Sequence, residues 1–293
     1  MKSLTRRNFL SIPLGAVALQ FDGDALAEQV VPRASEEAVD VNVQLSRWSC
    51  RRVQGDETLG LVKQLRRYGV REAWAGSLDS LLHKDISGVN LRLADECRAH
   101  GDGMLLPFGA VNPTLPDWEE DLRRCHEELK MPGIRLHPNY HGYRLDEPVF
   151  ERLLTLVEER NLILQLAVGM EDPRTQLPFL RVGAVDLEPL SRLLPHFPQV
   201  RIILLNVNAL QSSSLELLEA LTRTGQVYCE ISWLEGLGGV GRLAKSISLS
   251  RILFGSYAPI FYFEAAWLKM QESPLTQQQI RGILRENAKR VIG

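Results

Sequence analysis

The chain has 293 residues, a formal net charge of −2 and 45% hydrophobic residues. It contains no long basic block, which argues against nucleic-acid binding, because proteins that bind nucleic acid carry clustered basic faces. The balanced charge and the hydrophobic content are typical of a globular domain. The four cysteines lie far apart and form no CxxC pair, so we interpret them as buried thiols.

The first 27 residues have the features of an export signal. Arg6 and Arg7 stand directly before an apolar stretch at residues 10–21, and Ala-Leu-Ala at 25–27 is a small-x-small cleavage pattern. The apolar stretch is short for a membrane span. We therefore expect cleavage before Glu28, export through the twin-arginine machinery to the periplasm or beyond, and no membrane contact afterwards. The alternative is an N-terminal anchor that stays uncleaved.

After a polar lead-in at residues 28–38, stretches typical of strands and of helices alternate. The predicted strands cover residues 39–45, 72–76, 105–111, 134–137, 162–168, 200–205, 227–231 and 252–255. The predicted helices cover residues 57–68, 85–100, 114 or 117 to 129, 149–160, 187–194, 215–224 and 243–247, with closing helices at 260–270 and 277–291. The fifth strand is almost entirely apolar, as expected for a parallel strand covered on both faces.

Eight strand–helix alternations predict a single (β/α)8 barrel, a TIM barrel of the α/β class, over residues 39–293. The competing architecture is an open doubly wound sheet. No glycine-rich phosphate-binding fingerprint follows the first strand, which disfavours that alternative. The glycine-rich stretch at residues 236–239 follows the seventh strand and is interpreted as a flexible loop.

The functional interpretation of the chain centres on residues 133–148. A short apolar run ends in a basic, aromatic loop that contains His137, Tyr140 and His141, and Pro148 then opens a helix. In barrels of this kind the chemistry lies at such strand ends. We interpret the loop as facing a ligand, with His137 and His141 as candidate proton carriers because histidine titrates near neutral pH. The alternative is a solvated loop with one buried histidine.

Four stretches resemble the amidohydrolase-related family of metal-dependent hydrolases and decarboxylases, which are built on (β/α)8 barrels. They are residues 39–44 (Val-Asp-Val-Asn-Val-Gln), 133–138 (Gly-Ile-Arg-Leu-His-Pro), 253–256 (Leu-Phe-Gly-Ser) and 286–290 (Glu-Asn-Ala-Lys-Arg). The resemblance implies a zinc or other divalent metal site. Its ligands would be two histidines on strand one, one histidine on each of strands five and six, and an aspartate after strand eight.

This sequence departs from that ligand set. Asn42 and Gln44 stand where the paired histidines belong, the fifth strand ends without a histidine, Asn206 closes the sixth strand, and Tyr257 stands at the aspartate position. Neutral amides are weak metal ligands and are better suited to hydrogen bonding. We therefore expect no metal and no other cofactor. A relocated site built from His137, His141, Glu171 and Asp172 is disfavoured, because four-residue spacing on a loop carries no helix geometry.

Further polar and aromatic side chains are predicted to line a small-molecule site above an amide floor of Asn42, Gln44 and Asn206. The predicted substrate-binding residues around this floor are Arg47, Trp48, Arg135, Tyr140, Arg174 and Tyr257. Arg47 and Arg174 could instead pair with Asp172 or Glu171. Arg135 lies within a strand, where its charge needs a partner or a ligand. Glu230 is either a candidate catalytic acid or the ion-pair partner of Arg135, and we favour the ion pair.

These features are consistent with two functions. The first is an exported hydrolase or decarboxylase of this family that acts on a small polar or anionic substrate without metal, through His137, His141 and Glu230. The second is a pseudoenzyme that binds a small molecule or a protein partner in the periplasm without turning it over. The altered metal positions favour the second function mechanistically, and the family resemblance favours the first.

Overall fold

A computed structural model of the chain describes residues 37–208 and 212–293. The predicted export signal and nearly all of the lead-in lie outside these residues. Within the described ranges, no helix is both long enough and apolar enough to cross a membrane.

Parallel strands alternate with helices along the chain. The strands are β1 (Ala38–Leu45), β2 (Val70–Ser77), β3 (Leu105–Pro107), β4 (Gly109–Ala110), β5 (Gly133–Leu136), β6 (Ile163–Ala167), β7 (Arg201–Leu205), β8 (Gln226–Glu230) and β9 (Ile252–Leu253). The helices are α1 (Thr58–Arg67), α2 (Ile86–His100), α3 (Trp118–Glu127), α4 (Pro138–His141), α5 (Pro148–Glu159), α6 (Leu190–Leu193), α7 (Ser212–Thr224), α8 (Gly239–Ser246), α9 (Phe263–Gln271), α10 (Gln277–Arg281) and α11 (Asn287–Ile292).

The predicted third strand is interrupted. β3 pairs with β2, β4 pairs with β5, and Phe108 lies between the two short strands, where its backbone N–H donates to Ala75 O at 2.8 Å. Pro107 has no N–H to donate, so the ladder is broken at this point. The Phe108 ring stacks on Trp74 at 5.0 Å between centroids. Together β3 and β4 occupy one position in the barrel wall.

The sheet closes on itself. Neighbouring strands pair in chain order, as β1-β2-β3 and β4-β5-β6-β7-β8-β9. The segment after β9 then pairs with β1: Gln44 N–H donates to Ala258 O, and Tyr257 N–H donates to Asn42 O, both at 2.8 Å. An open doubly wound sheet has free edges and lacks this contact. The predicted (β/α)8 barrel is therefore confirmed.

Several helices differ from their predicted limits. The stretch at 236–239 is not wholly a loop, because α8 begins at Gly239, and Gly238 caps it with φ of +65°, a conformation that glycine adopts without strain. The predicted helix at 277–291 consists of α10 and α11 joined by a π-helical segment, Gly282–Glu286. The predicted loop after β5 contains α4, a single turn with Pro138 at its first position and Gly142 in the left-handed conformation after it.

Candidate ligand-binding site

The amide floor forms a buried hydrogen-bonded network with Glu230. Asn42 Nδ2 donates to Asn206 Oδ1 at 2.7 Å and to Glu230 Oε1 at 3.2 Å. The same carboxylate oxygen accepts the backbone N–H of Asn206 at 2.6 Å and the hydroxyl of Ser232 at 2.7 Å. All four residues are buried. Residues from the ends of β1, β7 and β8 therefore converge at the barrel centre.

Arg135 is not the partner of Glu230, and that prediction was wrong. Its guanidinium donates to Gln165 Oε1 at 2.7 Å and to the carbonyls of Val43 and Trp74, each at 3.0 Å. A planar guanidinium has five donors in a fixed fork, which suits several fixed acceptors around it. Burial lowers the pKa of Arg135 to about 10. Gly76 makes room for it, since a Cβ there would lie 2.6 Å from Nη1.

Asp40 belongs to this interior and was not singled out from the sequence. Its Oδ1 accepts the backbone N–H groups of Asn42 at 3.1 Å and Ser256 at 3.0 Å, so it ties β1 to the segment after β9. Burial raises its pKa to about 7. The available signal was a carboxylate inside an otherwise apolar and amide-bearing strand.

Tyr257 and Asn206 share an uncommon backbone conformation. Their φ angles are +59° and +57°, in the left-handed region that bulky side chains rarely adopt. The Tyr257 hydroxyl donates to Met170 O at 2.8 Å, and burial raises the pKa of Tyr257 well above 10. The side chain at the position to which the resemblance assigns an aspartate is thus a buried, neutral hydrogen-bond donor.

The two candidate histidines are brought together by the helical turn α4, contrary to the expectation of a loop without helix geometry. Their ring centroids are 6.0 Å apart, edge to face. A His141 ring nitrogen, Nε2, lies 2.8 Å from Ser80 O. Both His137 ring nitrogens are buried and have no hydrogen-bond partner among the described residues. Burial lowers the pKa of His137 well below 6.5 and lowers that of His141, so both rings are neutral at pH 7.

Three predicted substrate-binding aromatics pack against one another over the barrel mouth. Trp48 and Tyr257 belong to a buried apolar cluster with Leu78, Leu81 and Met170, and Tyr140 packs against it. We call this cluster the mouth cap. Gln44, at the end of β1, is also buried, and neither atom of its amide has a partner in the part of the chain that the structure describes.

Arg47 and Arg174 form exposed ion pairs. Arg174 Nε donates to Asp172 Oδ1 at 2.9 Å, one of the two pairings that the sequence left open. This contact lowers the pKa of Asp172 to about 2. Arg47 pairs with Glu57, so the pairing with Asp172 or Glu171 that the sequence left open for it is not formed. The structure places Arg47 outside the central network.

A cavity of about 560 Å³ opens at the barrel mouth beside the mouth cap. It lies among the segments that follow β6, β7 and β8, and of the predicted substrate-binding residues only Asn206 lines it. Its polar and aromatic lining also includes Asp172, Asp186, Glu188, Asn208, Ser214, Trp233 and Glu235. We call it the mouth cavity. Most of these residues lie in loops without periodicity, so no pattern in the sequence predicts that they come together.

At the positions to which the resemblance assigns metal ligands, the polar side chains are hydrogen bonded within the protein. The Asn42 and Asn206 side chains are hydrogen bonded to each other, Ala167 ends β6, and the Tyr257 hydroxyl is held by Met170 O. Across residues 37–208 and 212–293, no group of three or more His, Cys, Asp or Glu side chains is placed to hold a metal ion. Zinc sites in proteins use three or four imidazole, thiolate or carboxylate ligands.

Comparison with known proteins places these observations in a family. A sequence model described as amidohydrolase matches residues 70–293. No curated protein matches the chain.

Solved structures share the fold at low sequence identity. A 2,6-dihydroxybenzoate decarboxylase from Rhizobium is 16% identical, with a TM-score of 0.64 over 88% of this chain and 98% of its own. A 5-carboxyvanillate decarboxylase from Novosphingobium aromaticivorans, complexed with manganese, is 14% identical, with a TM-score of 0.69 over 90% and 98%. A putative amidohydrolase from Staphylococcus aureus is 11% identical, with a TM-score of 0.69 over 88% and 99%.

Proposed function

Because the chain belongs to the amidohydrolase family, we propose that it is a metal-independent member whose barrel binds a small molecule in the mouth cavity without turning it over. The observation that carries this proposal is the hydrogen-bonded network of Asn42, Asn206 and Glu230. Side chains at two of the family's metal positions are bonded to each other and to a buried carboxylate. Such a network leaves the barrel centre with a stable polar interior that needs no cation.

The size and place of the mouth cavity support ligand binding. Pockets for small molecules in proteins are typically about 300–1,000 Å³. The mouth cavity falls within this range at about 560 Å³. It opens among the segments that follow β6, β7 and β8, at the barrel face where proteins of this fold bind their ligands. Asn206 lines it and also belongs to the buried network, so the two regions are in contact.

Metal analysis and ligand screening of the purified protein test this proposal together. We expect far less than one zinc or manganese ion per chain and no change in melting temperature on chelation. Thermal-shift screening with small carboxylates, lactones, sugars and amines should give hits that do not depend on added metal, because a ligand stabilises the native state that it binds. Stoichiometric metal whose removal abolishes ligand binding would contradict the proposal.

Metal-independent catalysis is the second candidate. It is favoured by the buried, neutral rings of His137 and His141, which lie close to each other. A neutral imidazole can accept a proton, so hydrolysis or decarboxylation of a small polar or anionic substrate would use His137 or His141, with Glu230 as a buried acid. Turnover of a screening hit that survives chelation and is lost in His137→Gln or in His141→Gln would establish this function over simple binding.

Export by the twin-arginine route is proposed on the sequence of residues 1–27 alone. The protein would then act in the periplasm or beyond, with the export machinery as a transient partner. Fractionation of cells that express the full chain tests this directly. We expect the wild type outside the cytoplasm in a shortened form, and an Arg6→Lys, Arg7→Lys double variant retained inside at full length. Equal distribution of the two proteins would contradict the proposal.

A further inference from the structure

The walls of the mouth cavity are built mainly from apolar side chains. Val185 N–H donates to Val168 O at 2.8 Å, and Val168 N–H donates to Leu205 O at 2.9 Å, so the segment after β6 is tied to the end of β7. A wall with a fixed backbone suits a preformed pocket for the hydrocarbon body of a ligand. The apolar residues of the lining are Val168, Pro173, Ala184, Val185, Leu187, Val207, Leu217 and Leu218.

The Trp233 ring extends this apolar wall. It lines the cavity and stacks on Phe261 with ring centroids 5.9 Å apart. Gly169 lines the cavity beside it, and a Cβ there would contact the ring at 3.5 Å. The glycine therefore leaves that part of the ring uncovered. An indole ring offers a ligand a large apolar contact area.

The polar floor of the cavity has its hydrogen bonds made within the protein. Asn206 Nδ2 donates to Gly169 O at 2.7 Å and lies 3.9 Å from Met170 Sδ. Asn206 Oδ1 accepts from Asn42 Nδ2 at 2.7 Å and from Ser232 Oγ at 3.2 Å, which fills both lone pairs of an amide oxygen. A charged group placed at this floor would lose its hydration and find no free partner.

The charged residues of the lining are exposed or half-exposed. They are Asp172, Asp186, Glu188 and Glu235. Arg174 pairs with Asp172, Arg144 lies near Asp186, and Lys269 lies near Glu235, so cations offset three of the four carboxylates. Charges at exposed positions interact weakly, because water and salt screen them. The lining therefore selects strongly for neither sign of charge.

We infer that the mouth cavity binds an uncharged molecule with a mainly hydrocarbon body, which lies against the apolar wall and the Trp233 ring. A polar group on such a ligand would point towards the exposed carboxylates at the opening and remain hydrated. This inference rests on the proposed binding function and specifies its ligand class. It differs from the small polar or anionic substrate that the sequence favours.

Matched probes that differ in charge test the ligand class. Quinoline and N-methylquinolinium share a fused ring body, and only the second is charged at pH 7.5; 1-naphthalenemethanol and 1-naphthoate form a second pair. By isothermal titration of the full protein, we expect each uncharged probe to bind roughly 10-fold or more tightly than its charged counterpart, because a charge in this cavity loses hydration without gaining a partner. Glucose, which is uncharged but polar, should bind far more weakly than either uncharged probe.

Salt and temperature dependence provide a second readout. Raising the salt to 0.5 M should leave binding of quinoline unchanged or slightly stronger, since no charge pair is there to be screened. The binding enthalpy should become more negative as the temperature rises, because burial of apolar surface gives a negative change in heat capacity. Quinoline binding that weakens strongly with salt would overturn the inference.

Variants connect binding to the apolar wall. Val185→Thr and Val207→Thr each place a hydroxyl in the wall at nearly constant shape and should each weaken binding of quinoline by about 3- to 10-fold. The matched control is Val200→Thr. Val200 is buried just before β7, at the other end of the barrel and outside the cavity lining, so this variant should leave binding unchanged. Melting temperatures show whether each variant folds, and the probe pairs test the inference on the wild type if one does not.

The outcomes separate this inference from the proposed function. A charged probe that binds as tightly as its uncharged counterpart, or quinoline binding that both wall variants leave intact, overturns the assignment of ligand class. If the uncharged probes fail while an ion or a sugar in the thermal-shift screen stabilises the protein, the ligand class is wrong and the binding function stands. If no probe and no compound in the screen binds, the proposed function itself fails.

Discussion

Asn42 and Asn206 stand 164 positions apart in the chain and are joined side chain to side chain, with Asn42 Nδ2 donating to Asn206 Oδ1 at 2.7 Å. This hydrogen bond connects the end of β1 to the end of β7 across the barrel. Both residues also contact Glu230, through the Asn42 side chain and the Asn206 backbone N–H. Together with the Ser232 hydroxyl, the pair therefore holds the Glu230 carboxylate in place in the barrel interior.

Removing either asparagine should destabilise the barrel. We expect Asn42→Ala and Asn206→Ala each to lower the free energy of unfolding by about 1–3 kcal/mol, because each leaves buried polar groups unpaired. The double variant should differ from the sum of the two by at least about 0.5 kcal/mol, since the side chains contact each other. Urea denaturation measures both quantities.

Two further variants serve as controls for this cycle. Asn206→Gly removes the side chain without adding backbone strain, because glycine adopts the +57° φ of this position freely. Comparison with Asn206→Ala therefore separates the effect of the lost side chain from that of the strained backbone. Asn139→Ala removes an exposed hydrogen bond to Gly183 O and should cost less than about 0.5 kcal/mol. Strict additivity of Asn42→Ala and Asn206→Ala would contradict the coupling of the two side chains.

The convergence of Asn42 and Asn206 could be predicted from sequence because the carboxyl ends of parallel strands meet at one barrel face. The hydrogen-bond partners of Arg135 could not be predicted from the sequence. Between Asp40 and Val43 the register of β1 against β2 shifts, and such an irregularity has no signature in the alternation of residues. The sequence shows that Arg135 needs partners, and only the packed interior shows that they are neutral.

The mouth cap shows a second limit. Trp48, Tyr140 and Tyr257 were predicted to cover a ligand, because aromatic side chains at strand ends suit that role. In the structure they belong to one packed cluster. Aromatic residues that cover a ligand and those that cover one another have the same composition and spacing. The mouth cavity, in turn, is lined by loop residues, whose arrangement depends on tertiary contacts rather than on any periodic pattern.

Asp40 should make the protein less stable as the pH rises from about 4 to 7. Its pKa is raised to about 7 in the folded protein from an ordinary value of 3.8, so the folded state keeps a proton that the unfolded chain releases. The stabilisation is complete below pH 3.8 and is lost progressively up to pH 7, by on the order of 4 kcal/mol. Asp40→Asn should remove this loss, because the amide oxygen can still accept from Asn42 and Ser256.

Chemical denaturation of the wild type and of Asp40→Asn at several pH values between 4 and 8 measures this difference. The variant should be the more stable protein at pH 8, and its advantage should shrink as the pH falls towards 4. Asp95→Asn, at an exposed position on α2, provides the matched control and should leave the pH profile unchanged. An Asp40→Asn variant whose advantage does not depend on pH would contradict the raised pKa.

His137 should act in the opposite direction. Burial lowers its pKa well below 6.5, so below that pH the unfolded chain takes up a proton that the folded state does not. The free energy of unfolding of the wild type should therefore fall by roughly 1.4 kcal/mol for each pH unit below 6.5, until the pH reaches the pKa of His137 in the folded state. His137→Leu should therefore be more stable relative to wild type at pH 5.5 than at pH 8, and melting temperatures at the two pH values measure the shift. His83→Leu, at an exposed position, should show no such difference.

Gly76→Ala should be among the most damaging small substitutions in the barrel. The new Cβ would lie 2.6 Å from Arg135 Nη1 and 2.8 Å from Cδ and Cζ, while the guanidinium is held by Gln165 and two carbonyls and cannot withdraw. We expect a loss of about 1–3 kcal/mol or more in the free energy of unfolding, as for other overpacked cores. Gly60→Ala provides the matched control. Gly60 lies within α1 with nothing near its Cβ position, so alanine should stabilise the protein by about 0.5–1 kcal/mol through helix propensity. Urea denaturation in which Gly76→Ala is at least as stable as the wild type would show that Arg135 can adapt, contrary to the rigid interior that its hydrogen bonds indicate.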